Sequence, residues 1–231
     1  MRRGIVACLI LSSCISRAGP DGFLVDIQGC PLYLDQPWRW PSNEIPVCWM
    51  DSDDSQATRD NRATVREAVR DSWEKVSNAR FTGWGQCGRN LTEGVRISVG
   101  ADERPRSVPG SFAETVRGPT MWLNFTFTDT PGLAWCQQEP DRVGFCIKAI
   151  AVHEFGHALG FRHEQDRPDT PSQCVDQVGQ PSVVNQGVAV GGWDKDSIMN
   201  YCSPSWNNNG ELSAGDIQAV RSVYGPDGCI R

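Results

Sequence analysis

Hydrophobic residues recur at helical spacing in the first half of the chain and again near its end. Over residues 58–78, apolar side chains stand three or four positions apart with charged residues between them, which predicts an amphipathic helix. The same spacing returns over Ala214–Tyr224, where Ser213 is a suitable N-cap and Asp216 occupies the third helical position. A further helix is predicted from Phe145 to Gly160.

Alternating apolar and polar positions predict strands in the first two thirds of the chain. Residues 95–99 alternate strictly, and Met121–Thr128 alternates with aromatic residues. Shorter strands are predicted at Phe23–Ile27 and Val47–Met50. Two segments with Pro and Gly at short intervals are predicted to be surface loops, residues 101–119 and 128–144.

The predicted strands precede Phe145, whereas one helix and irregular segments follow the second helix. Residues 160–211 are rich in Pro, Gly and Asn and have no clear periodicity. This order predicts an α+β domain with one cleft between its two halves. We divide the chain into a leader at residues 1–18, a lead-in at residues 19–40 and one folded domain at residues 41–231.

The composition excludes several classes of protein. Hydrophobic residues make up 39% and charged residues 22% of the 231 residues, which excludes a disordered chain and a multi-span membrane protein. The net charge is −6, and no cluster of Lys and Arg follows the first three residues. We therefore expect no nucleic-acid partner.

The first residues are typical of an export signal. Two arginines precede an apolar run, Gly4–Leu11, which is far shorter than the about 20 residues of a membrane-spanning helix. The sequence Leu-Ser-Ser-Cys ending at Cys14 resembles a lipobox, whose cysteine becomes lipidated; the alternative cut follows Ala18. We expect an exported protein, either a bacterial cell-envelope lipoprotein anchored at Cys14 or a secreted protein.

After either cut Cys8 is removed and Cys14 is removed or lipidated, so eight cysteines remain available for disulfides: Cys30, Cys48, Cys87, Cys136, Cys146, Cys174, Cys202 and Cys229. An even number in an exported chain implies up to four disulfides. A zinc-ribbon site is the alternative use of cysteine, but the chain has no CxxC pair. Disulfides are therefore expected.

All three histidines of the chain lie in one segment that reads His-Glu-Phe-Gly-His-Ala-Leu-Gly-Phe-Arg-His and runs from His153 to His163. On a helix, His153 and His157 are four residues apart on one face, where both can bind one zinc ion at about 2.0–2.1 Å. Glu154 is rotated by about 100° from His153, so that it can reach a water molecule at the metal as general base.

His163 requires the helix to end before it. In a continuous helix it would lie on the wrong side and about 9 Å further along the axis, but Gly160 can take the positive φ that ends a helix and reverses the chain. If the sequence had only His153 and His157, hydrogen bonds within the core would be a sufficient explanation for them. Such hydrogen bonds do not explain why all three histidines occur at this spacing. A structural zinc site usually has four protein ligands. The pattern instead predicts one catalytic Zn²⁺ bound by three histidines.

The segment resembles the HExxHxxGxxH motif of the metzincin metalloendopeptidases. Metzincins carry a methionine turn beneath the zinc, and this chain has Ser-Ile-Met-Asn-Tyr at residues 197–201. Within that clan the chain is most similar to the astacins, whose third histidine is followed by Glu and then Arg and Asp, as at residues 163–169. Residues 212–225 resemble the C-terminal helix shared by astacins and matrixins. Asn200 replaces the histidine common in astacin turns, and a matrixin-like branch is the alternative.

The resemblance implies a fold and a function. The fold would be a twisted, mixed N-terminal sheet with two helices, followed by an irregular half that ends in a helix, with the active-site cleft between them. The chain would be a zinc endopeptidase with Glu154 as general base, Tyr201 stabilising the oxyanion and Met199 as an apolar floor. Glu164 would meet the mature N-terminus or a neighbouring loop. A packed core tyrosine at position 201 and a surface carboxylate at position 164 are the alternatives.

The resemblance also implies a disulfide pattern and a mode of substrate binding. Cys136–Cys146 resembles the astacin disulfide ahead of the active-site helix, and Cys87–Cys229 resembles the pair that joins the two halves. Cys174–Cys202 and Cys30–Cys48 would complete the set. Substrate would lie extended along an edge strand at Met121–Phe127.

Two other functions stay open from the sequence. One is a zinc-containing binding or adhesion module that has lost turnover, which the intact Glu154 disfavours. The other is a carbohydrate-binding surface lipoprotein that uses exposed tryptophans. We expect a protein or peptide substrate, a monomer, and membrane contact only through a lipid anchor at Cys14.

Overall fold

The computed structural model describes residues 32–34, 38–89, 91–101, 103–128, 130–179 and 188–225. The regular elements in chain order are β1 (Leu32–Leu34), β2 (Glu44–Trp49), α1 (Gln56–Val69), β3 (Arg80–Gln86), β4 (Val95–Val99), β5 (Arg106–Ser107), β6 (Met121–Leu123), α2 (Pro140–Ala158), α3 (Ser172–Val178), β7 (Val188–Val190) and α4 (Ala214–Tyr224). The strand predicted at Phe23–Ile27 lies outside the described residues. Among the helices of the described ranges, none is long and apolar enough to cross a membrane.

Five strands form one mixed sheet in the order β3-β2-β4-β6-β5. The first four of these run parallel, and β5 pairs antiparallel with β6. The strands predicted at Val47–Met50 and at residues 95–99 are present as β2 and β4. With its sheet, its two large helices and its C-terminal helix, the structure confirms the predicted α+β fold class.

The strand predicted over Met121–Thr128 ends at Leu123. The side chain of Asn124 accepts hydrogen bonds from the backbone N–H groups two and three residues further on, and Phe127 has a φ of 55°. This local turn competes with sheet pairing and carries the chain out of the sheet. Because β5 covers β6, the expectation of an edge strand at Met121–Phe127 was wrong, and the edge is β5.

Helix α1 begins directly after Ser55, whose hydroxyl accepts a hydrogen bond from an N–H of the first turn. The helical backbone continues beyond α1 through a wider turn at Arg70–Glu74, so it spans nearly all of the predicted residues 58–78. Trp73 on the apolar side is buried, and its indole N–H donates to the carbonyl of Val152 in α2 (2.8 Å). Helix α1 therefore packs directly against the helix that carries the first two histidines.

Helix α2 begins at Pro140, ahead of the predicted start at Phe145. Proline suits the first helical position, whose N–H has no partner in any case, so the loop prediction for residues 128–144 was wrong in its last residues. Phe155 of α2 meets Phe81 of β3 edge to face, with ring centroids 4.7 Å apart. The helix thus lies across the sheet with its apolar side buried.

Helix α4 spans the predicted residues Ala214–Tyr224, with the predicted cap. Ser213 accepts from the N–H of Asp216, and the Asp216 carboxylate accepts from the N–H of Ser213. At the other end, the Tyr224 hydroxyl donates to the carbonyl of Leu159, just after α2 (2.8 Å). Most of the remaining C-terminal half is irregular, as predicted, apart from the short helix α3.

Three disulfides join described residues: Cys48–Cys87, Cys136–Cys146 and Cys174–Cys202. The last two were predicted. The first shows that the predicted pairs Cys87–Cys229 and Cys30–Cys48 were both wrong. Cys48 lies on β2 and Cys87 just after the neighbouring strand β3, where parallel pairing brings their Cα atoms to 4.8 Å. Cys30 and Cys229 lie outside the described residues.

Candidate metal centre and active-site cleft

The chain reverses immediately after α2. Gly160 has a φ of 97°, a conformation that favours glycine, and the N–H of Phe161 donates to the carbonyl of Gly156 (3.0 Å). This reversal brings His163 back beside the last turns of α2. It is the path that the sequence predicted for the third histidine.

Three imidazoles converge at this point. Nε2 of His163 lies 3.0 Å from Nε2 of His157 and 3.2 Å from Nε2 of His153. In a tetrahedral zinc site with bonds of about 2.0–2.1 Å, the ligand atoms are about 3.3 Å apart. The three nitrogens therefore fit one zinc ion. Within the described ranges no further His, Cys, Asp or Glu joins this cluster.

Backbone carbonyls orient the two helical histidines. Nδ1–H of His153 donates to the carbonyl of Ile198 (2.8 Å), and Nδ1–H of His157 donates to the carbonyl of Phe161 (2.8 Å). These acceptors assign the proton to Nδ1 and leave the lone pair of Nε2 for a metal. The methionine turn and the chain reversal thus each hold one ring in position.

Burial keeps the same two imidazoles neutral. It lowers the pKa of His153 to about 3, and the neighbouring His163 adds to this effect. Burial likewise holds the pKa of His157 well below its ordinary value. Metal binding requires the neutral imidazole, so no proton has to be removed from these two residues at neutral pH.

Glu154 follows the first histidine and reaches the cleft from α2. Its side chain is buried, and its Oε2 atom has no hydrogen-bond partner among the described residues. Burial raises the pKa of Glu154 to about 8, while the charge of Arg106 opposes the rise. A carboxyl with a free oxygen at a cleft can exchange protons with a bound molecule.

Tyr201 lies at the mouth of the cleft rather than in the core. It is 52% exposed, and its ring centroid lies 4.4 Å from that of His163 and 5.5 Å from that of His153. Its backbone N–H donates to the side chain of Gln165 (3.0 Å). Desolvation of the hydroxyl and the charge of Glu154 raise the pKa of Tyr201 to about 12. The exposure contradicts the alternative of a packed core tyrosine.

Met199 packs beneath α2, directly under Gly156. A Cβ at Gly156 would lie 2.5 Å from Sδ of Met199, so only glycine lets the methionine turn approach the helix this closely. The carbonyl of Met199 also accepts from the N–H of Glu164 (3.0 Å). Sequence reasoning expected the apolar floor at Met199 but missed Gly156. A glycine inside the helical motif was the available signal.

Asp216 connects α4 to the methionine turn. Its carboxylate accepts from the hydroxyl of Ser197 (2.6 Å) and from the N–H of Ile198 (2.9 Å) as well as from its own helix cap. Ile198 is the residue whose carbonyl holds His153. Sequence reasoning identified Asp216 only as a capping residue, because nothing in the local pattern shows that the cap faces the turn.

Glu164 contacts a neighbouring loop, which was one of the two contacts expected for it. Its carboxylate accepts from the N–H of Asp194 (2.7 Å) and lies 3.6 Å from the guanidinium of Arg167. Because its side chain is fully buried, the alternative of a surface carboxylate was wrong. Burial raises the pKa of Glu164 to about 8, which the charge of Arg167 opposes. The N-termini that the two predicted cuts would give, Cys14 and Gly19, lie outside the described residues.

The cleft extends on both sides of Glu154 and Tyr201. On one side is a cavity of about 520 Å³ whose apolar lining includes Pro131, Leu133, Ile150 and Trp206. On the other side is a cavity of about 250 Å³ whose charged lining includes Arg106, Arg162 and Asp166. Both cavities are bordered by the segment at β5. An extended chain therefore has space on either side of the three histidines.

The family model for astacin, a family of peptidases, matches residues 143–223. The zinc metalloproteinase nas-3 of Caenorhabditis elegans is 24% identical to the chain over 198 residues, which cover 81% of this chain and 63% of nas-3. Human matrix metalloproteinase-27 is 31% identical over 120 residues, 46% of this chain and 21% of that protein. The chain thus spans less than two thirds of the length of these curated relatives.

Two solved structures of myroilysin share the fold. One has a TM-score of 0.58 at 20% identity and covers 83% of this chain and 98% of that chain. The other has a TM-score of 0.54 at 21% identity and covers 90% of this chain and 97% of that chain. The family match includes all three histidines, the reversal after α2, the methionine turn and most of α4. Over residues 143–223 the chain is therefore similar to the astacins, and its fold is that of the myroilysin structures.

Proposed function

We propose that the protein is an exported, zinc-dependent endopeptidase that hydrolyses peptide bonds in proteins or peptides. The observation that carries the proposal is the convergence of three imidazole Nε2 atoms at 3.0–3.2 Å beside Glu154, in a cleft open on both sides. Nas-3 is named a zinc metalloproteinase, which supports the same activity.

His153, His157 and His163 would hold the zinc ion through Nε2. When bound, zinc supplies Lewis acidity toward a peptide carbonyl and toward water. The carbonyl acceptors of Ile198 and Phe161 hold two of the three rings in the tautomer that such binding needs. Only three residues converge here in the described chain, so space for water and substrate is left beside them.

Glu154 would act as general base and then as general acid. The positive charge of a bound zinc ion would lower the pKa of Glu154 from about 8 and leave the carboxylate ionised. Its unpartnered oxygen could then take a proton from the attacking water and deliver it to the leaving amine. Glu154 lines both cavities, so it would lie beside a peptide that crosses the cleft. Tyr201 keeps its proton at neutral pH, so its hydroxyl can donate to the carbonyl oxygen as negative charge develops there.

The substrate would lie extended along β5, the edge of the sheet. The outer side of this strand carries no further strand in the described part of the chain, which leaves main-chain groups for pairing with a peptide. Arg106 on β5 is fixed above Trp122, 4.0 Å from the ring centroid, and pairs with Glu103 (2.9 Å). These contacts hold the rim of the cleft in place.

Glu154→Gln tests the proposal. The variant should fold and bind zinc as the wild type does, because the buried carboxyl is replaced by a group of equal size, but it should lose peptidase activity by about 10³-fold or more. Hydrolysis of a fluorogenic peptide and zinc content by atomic absorption are the measurements. Glu67→Gln on the exposed side of α1 is the matched control and should keep full activity.

A Glu154→Gln variant with wild-type turnover would contradict the role of Glu154, and a wild-type protein without peptidase activity would contradict the function itself. His163→Ala separates the metal site from the base, because it should lower the zinc content. Unchanged zinc content in that variant would remove His163 from the ligand set.

Export is part of the proposal. Three disulfides in the described residues favour an oxidising compartment. We propose that the leader at residues 1–18 directs export and that the mature protein is a monomer held at the bacterial envelope through lipidated Cys14. The mass of the mature N-terminal peptide distinguishes a lipidated Cys14 from a cut after Ala18.

A further inference from the structure

A separate cavity lies at the carboxyl ends of β2 and β3, and none of the three histidines lines it. It encloses about 410 Å³ between these strand ends and α1, and we call it the distal cavity. Strand β3 is at the opposite edge of the five-stranded sheet from β5, about 19 Å away at a strand spacing of about 4.8 Å. The residues that define the distal cavity are Trp49, Asp54, Arg59, Arg62, Arg66 and Trp84.

Three arginines face the distal cavity from α1. Arg59, Arg62 and Arg66 are three and four residues apart and share one helix face. Asp54 pairs with Arg59 (3.2 Å), whereas neither Arg62 nor Arg66 forms an ion pair with a carboxylate within the described ranges, although the charge of Arg62 acts on Asp53. Arg62 donates through Nη2 to the carbonyl of Asp51 (2.8 Å), while its buried Nε has no partner among the described residues. This excess of positive charge stands out on a chain of net charge −6.

Two carboxylates in the loop between β2 and α1 already accept hydrogen bonds from other groups of the protein. Asp51 accepts a hydrogen bond from the N–H of Val99 (2.7 Å). Asp53 accepts from the N–H of Ser55 (3.0 Å) and from the Thr58 hydroxyl at the start of α1. These acidic groups are held by the protein's own donors, so Arg62 and Arg66 stay available to an external acid.

Aromatic rings form the opposite wall of the distal cavity. The guanidinium carbon of Arg62 lies 5.0 Å from the ring centroid of Trp49. Trp84 has a φ of 62° and occupies the bulge where the pairing of β2 and β3 shifts by one residue. A left-handed tryptophan is uncommon and strained, and β-bulges often re-aim a side chain beside a binding site. The bulge thus presents an indole next to the arginines.

Strand β3 also offers a main-chain edge. In the described ranges it pairs only with β2, and most of its residues are exposed. The free N–H and C=O groups of an edge strand can pair with an extended peptide. Guanidinium groups bind carboxylates through charge-assisted hydrogen bonds. A polypeptide with acidic side chains could pair with the main chain of β3, bind the arginines through its carboxylates and pack on the indole of Trp84. A small anion could bind only the arginines.

We propose that the distal cavity binds an acidic stretch of a polypeptide, with carboxylates at Arg62 and Arg66 and apolar side chains on Trp84. In an endopeptidase, such a site would hold a long substrate at a distance from the bond that is cut. This second role rests on the proposed function, but the binding itself does not require turnover.

The test is a binding measurement on the full-length Glu154→Gln variant loaded with zinc, which prevents cleavage of the probe. Two fluorescein-labelled peptides of about twelve residues are compared by fluorescence anisotropy, one alternating Glu with Val and the other alternating Gln with Val. We expect the Glu peptide to bind about tenfold tighter or more at low salt and to lose this advantage in high salt. Equal affinity for the two peptides would overturn the proposal.

Substitutions locate the site. In the same background, Arg66→Gln should weaken binding of the Glu peptide several-fold without affecting the fold, because the Arg66 side chain is exposed to solvent. Adding Arg62→Gln should remove the preference for Glu over Gln. Arg117→Gln, an exposed arginine on the loop before β6, is the charge-matched control and should bind as the background protein does. Equal loss in the control, or an unchanged preference in the double variant, would refute a site at the distal cavity.

Two further measurements distinguish a polypeptide ligand from a sulfated carbohydrate, and the binding site from the proposed peptidase function. A sulfated oligosaccharide that binds through Arg62 and Arg66 while the Glu peptide does not would overturn the assignment of a polypeptide ligand. Wild-type protein that binds the Glu peptide at the distal cavity but cleaves no peptide would contradict the proposed function and leave the binding site standing. If the site serves catalysis, Arg66→Gln in the active protein should raise KM for a long acidic substrate and leave a short peptide unaffected.

Discussion

At the scale of single residues, burial decides which groups of the cleft carry a proton. It keeps His153 neutral and raises the pKa of Glu154, while desolvation of the hydroxyl and the charge of Glu154 raise the pKa of Tyr201. A neutral imidazole can bind a metal, and a protonated phenol can donate a hydrogen bond. At neutral pH His153 can therefore bind a metal and Tyr201 can donate a hydrogen bond, although their ring centroids are only 5.5 Å apart.

Tyr201→Phe should lower kcat by about 10²-fold and change KM by less than about twofold. The reason is that its hydroxyl would donate to the carbonyl oxygen mainly in the transition state, while the ring that contacts His163 is retained. Steady-state kinetics on a fluorogenic peptide measure both constants, with zinc content as the control. A rise in KM that matches the fall in kcat/KM would assign Tyr201 to substrate binding alone.

At the scale of elements, the site depends on two close approaches to the methionine turn. From one side α2 approaches through Gly156, where no side chain fits above Met199. From the other side α4 approaches through Asp216, which binds the hydroxyl of Ser197 and the N–H of Ile198. The turn is therefore held between two helices that are far apart in sequence.

Gly156→Ala should destabilise the protein by about 1–3 kcal/mol, the usual range for overpacking a core. A matched control exists in the same helix, since a Cβ at Gly144 would meet no atom within 4 Å. Gly144→Ala should be neutral or stabilising by up to about 1 kcal/mol, because alanine is the better helix former. Urea denaturation of both variants measures the difference. Equal effects at the two positions would show that Met199 does not press on Gly156.

The link between α4 and the turn should depend on pH. Burial raises the pKa of Asp216 to about 6 from an ordinary value of 3.8, although its hydrogen bonds to Ser197, Ile198 and Ser213 oppose the rise. The folded state therefore binds more protons than the unfolded state between these values. This contribution to stability is largest below pH 3.8 and is lost as the pH rises through about 6.

Asp216→Asn removes that titration, so its cost in unfolding free energy should be larger at about pH 4.5 than at about pH 7.5, by about 2 kcal/mol. Denaturation of both proteins measures this difference in unfolding free energy. A chelator is present throughout, so that bound zinc makes no different contribution at the two pH values. The other ionisable groups are the same in both proteins, so their contributions cancel in the difference. A cost that is the same at both pH values would place the pKa of Asp216 near its ordinary value.

At the scale of the whole molecule, the sequence predicted what local patterns encode. Three predicted features depend on residues that are close together in the chain, and the structure contains all three. They are the convergence of the histidines, the reversal at Gly160 and the bounds of α4. The prediction of an edge strand at Met121–Phe127 was wrong because β5, the strand that covers it, lies in a segment without a strand pattern that was predicted to be a loop. The contacts of Gly156 with Met199 and of Asp216 with the methionine turn were missed because these partners are distant in sequence.

The disulfide between Cys48 and Cys87 is the largest departure from the predicted connections, and its physical cause is topology. Strand β3 pairs directly with β2, so the two cysteines meet at adjacent strand ends although they are 39 residues apart. Mass mapping of a non-reduced digest should recover a Cys48–Cys87 peptide, and a Cys48 linked to Cys30 would contradict this disulfide. In the chain-entropy model, replacing both cysteines by alanine should lower the unfolding free energy by about 4 kcal/mol. Activity below the melting temperature should persist, because the pair lies at β2 and β3 and contacts none of the three histidines.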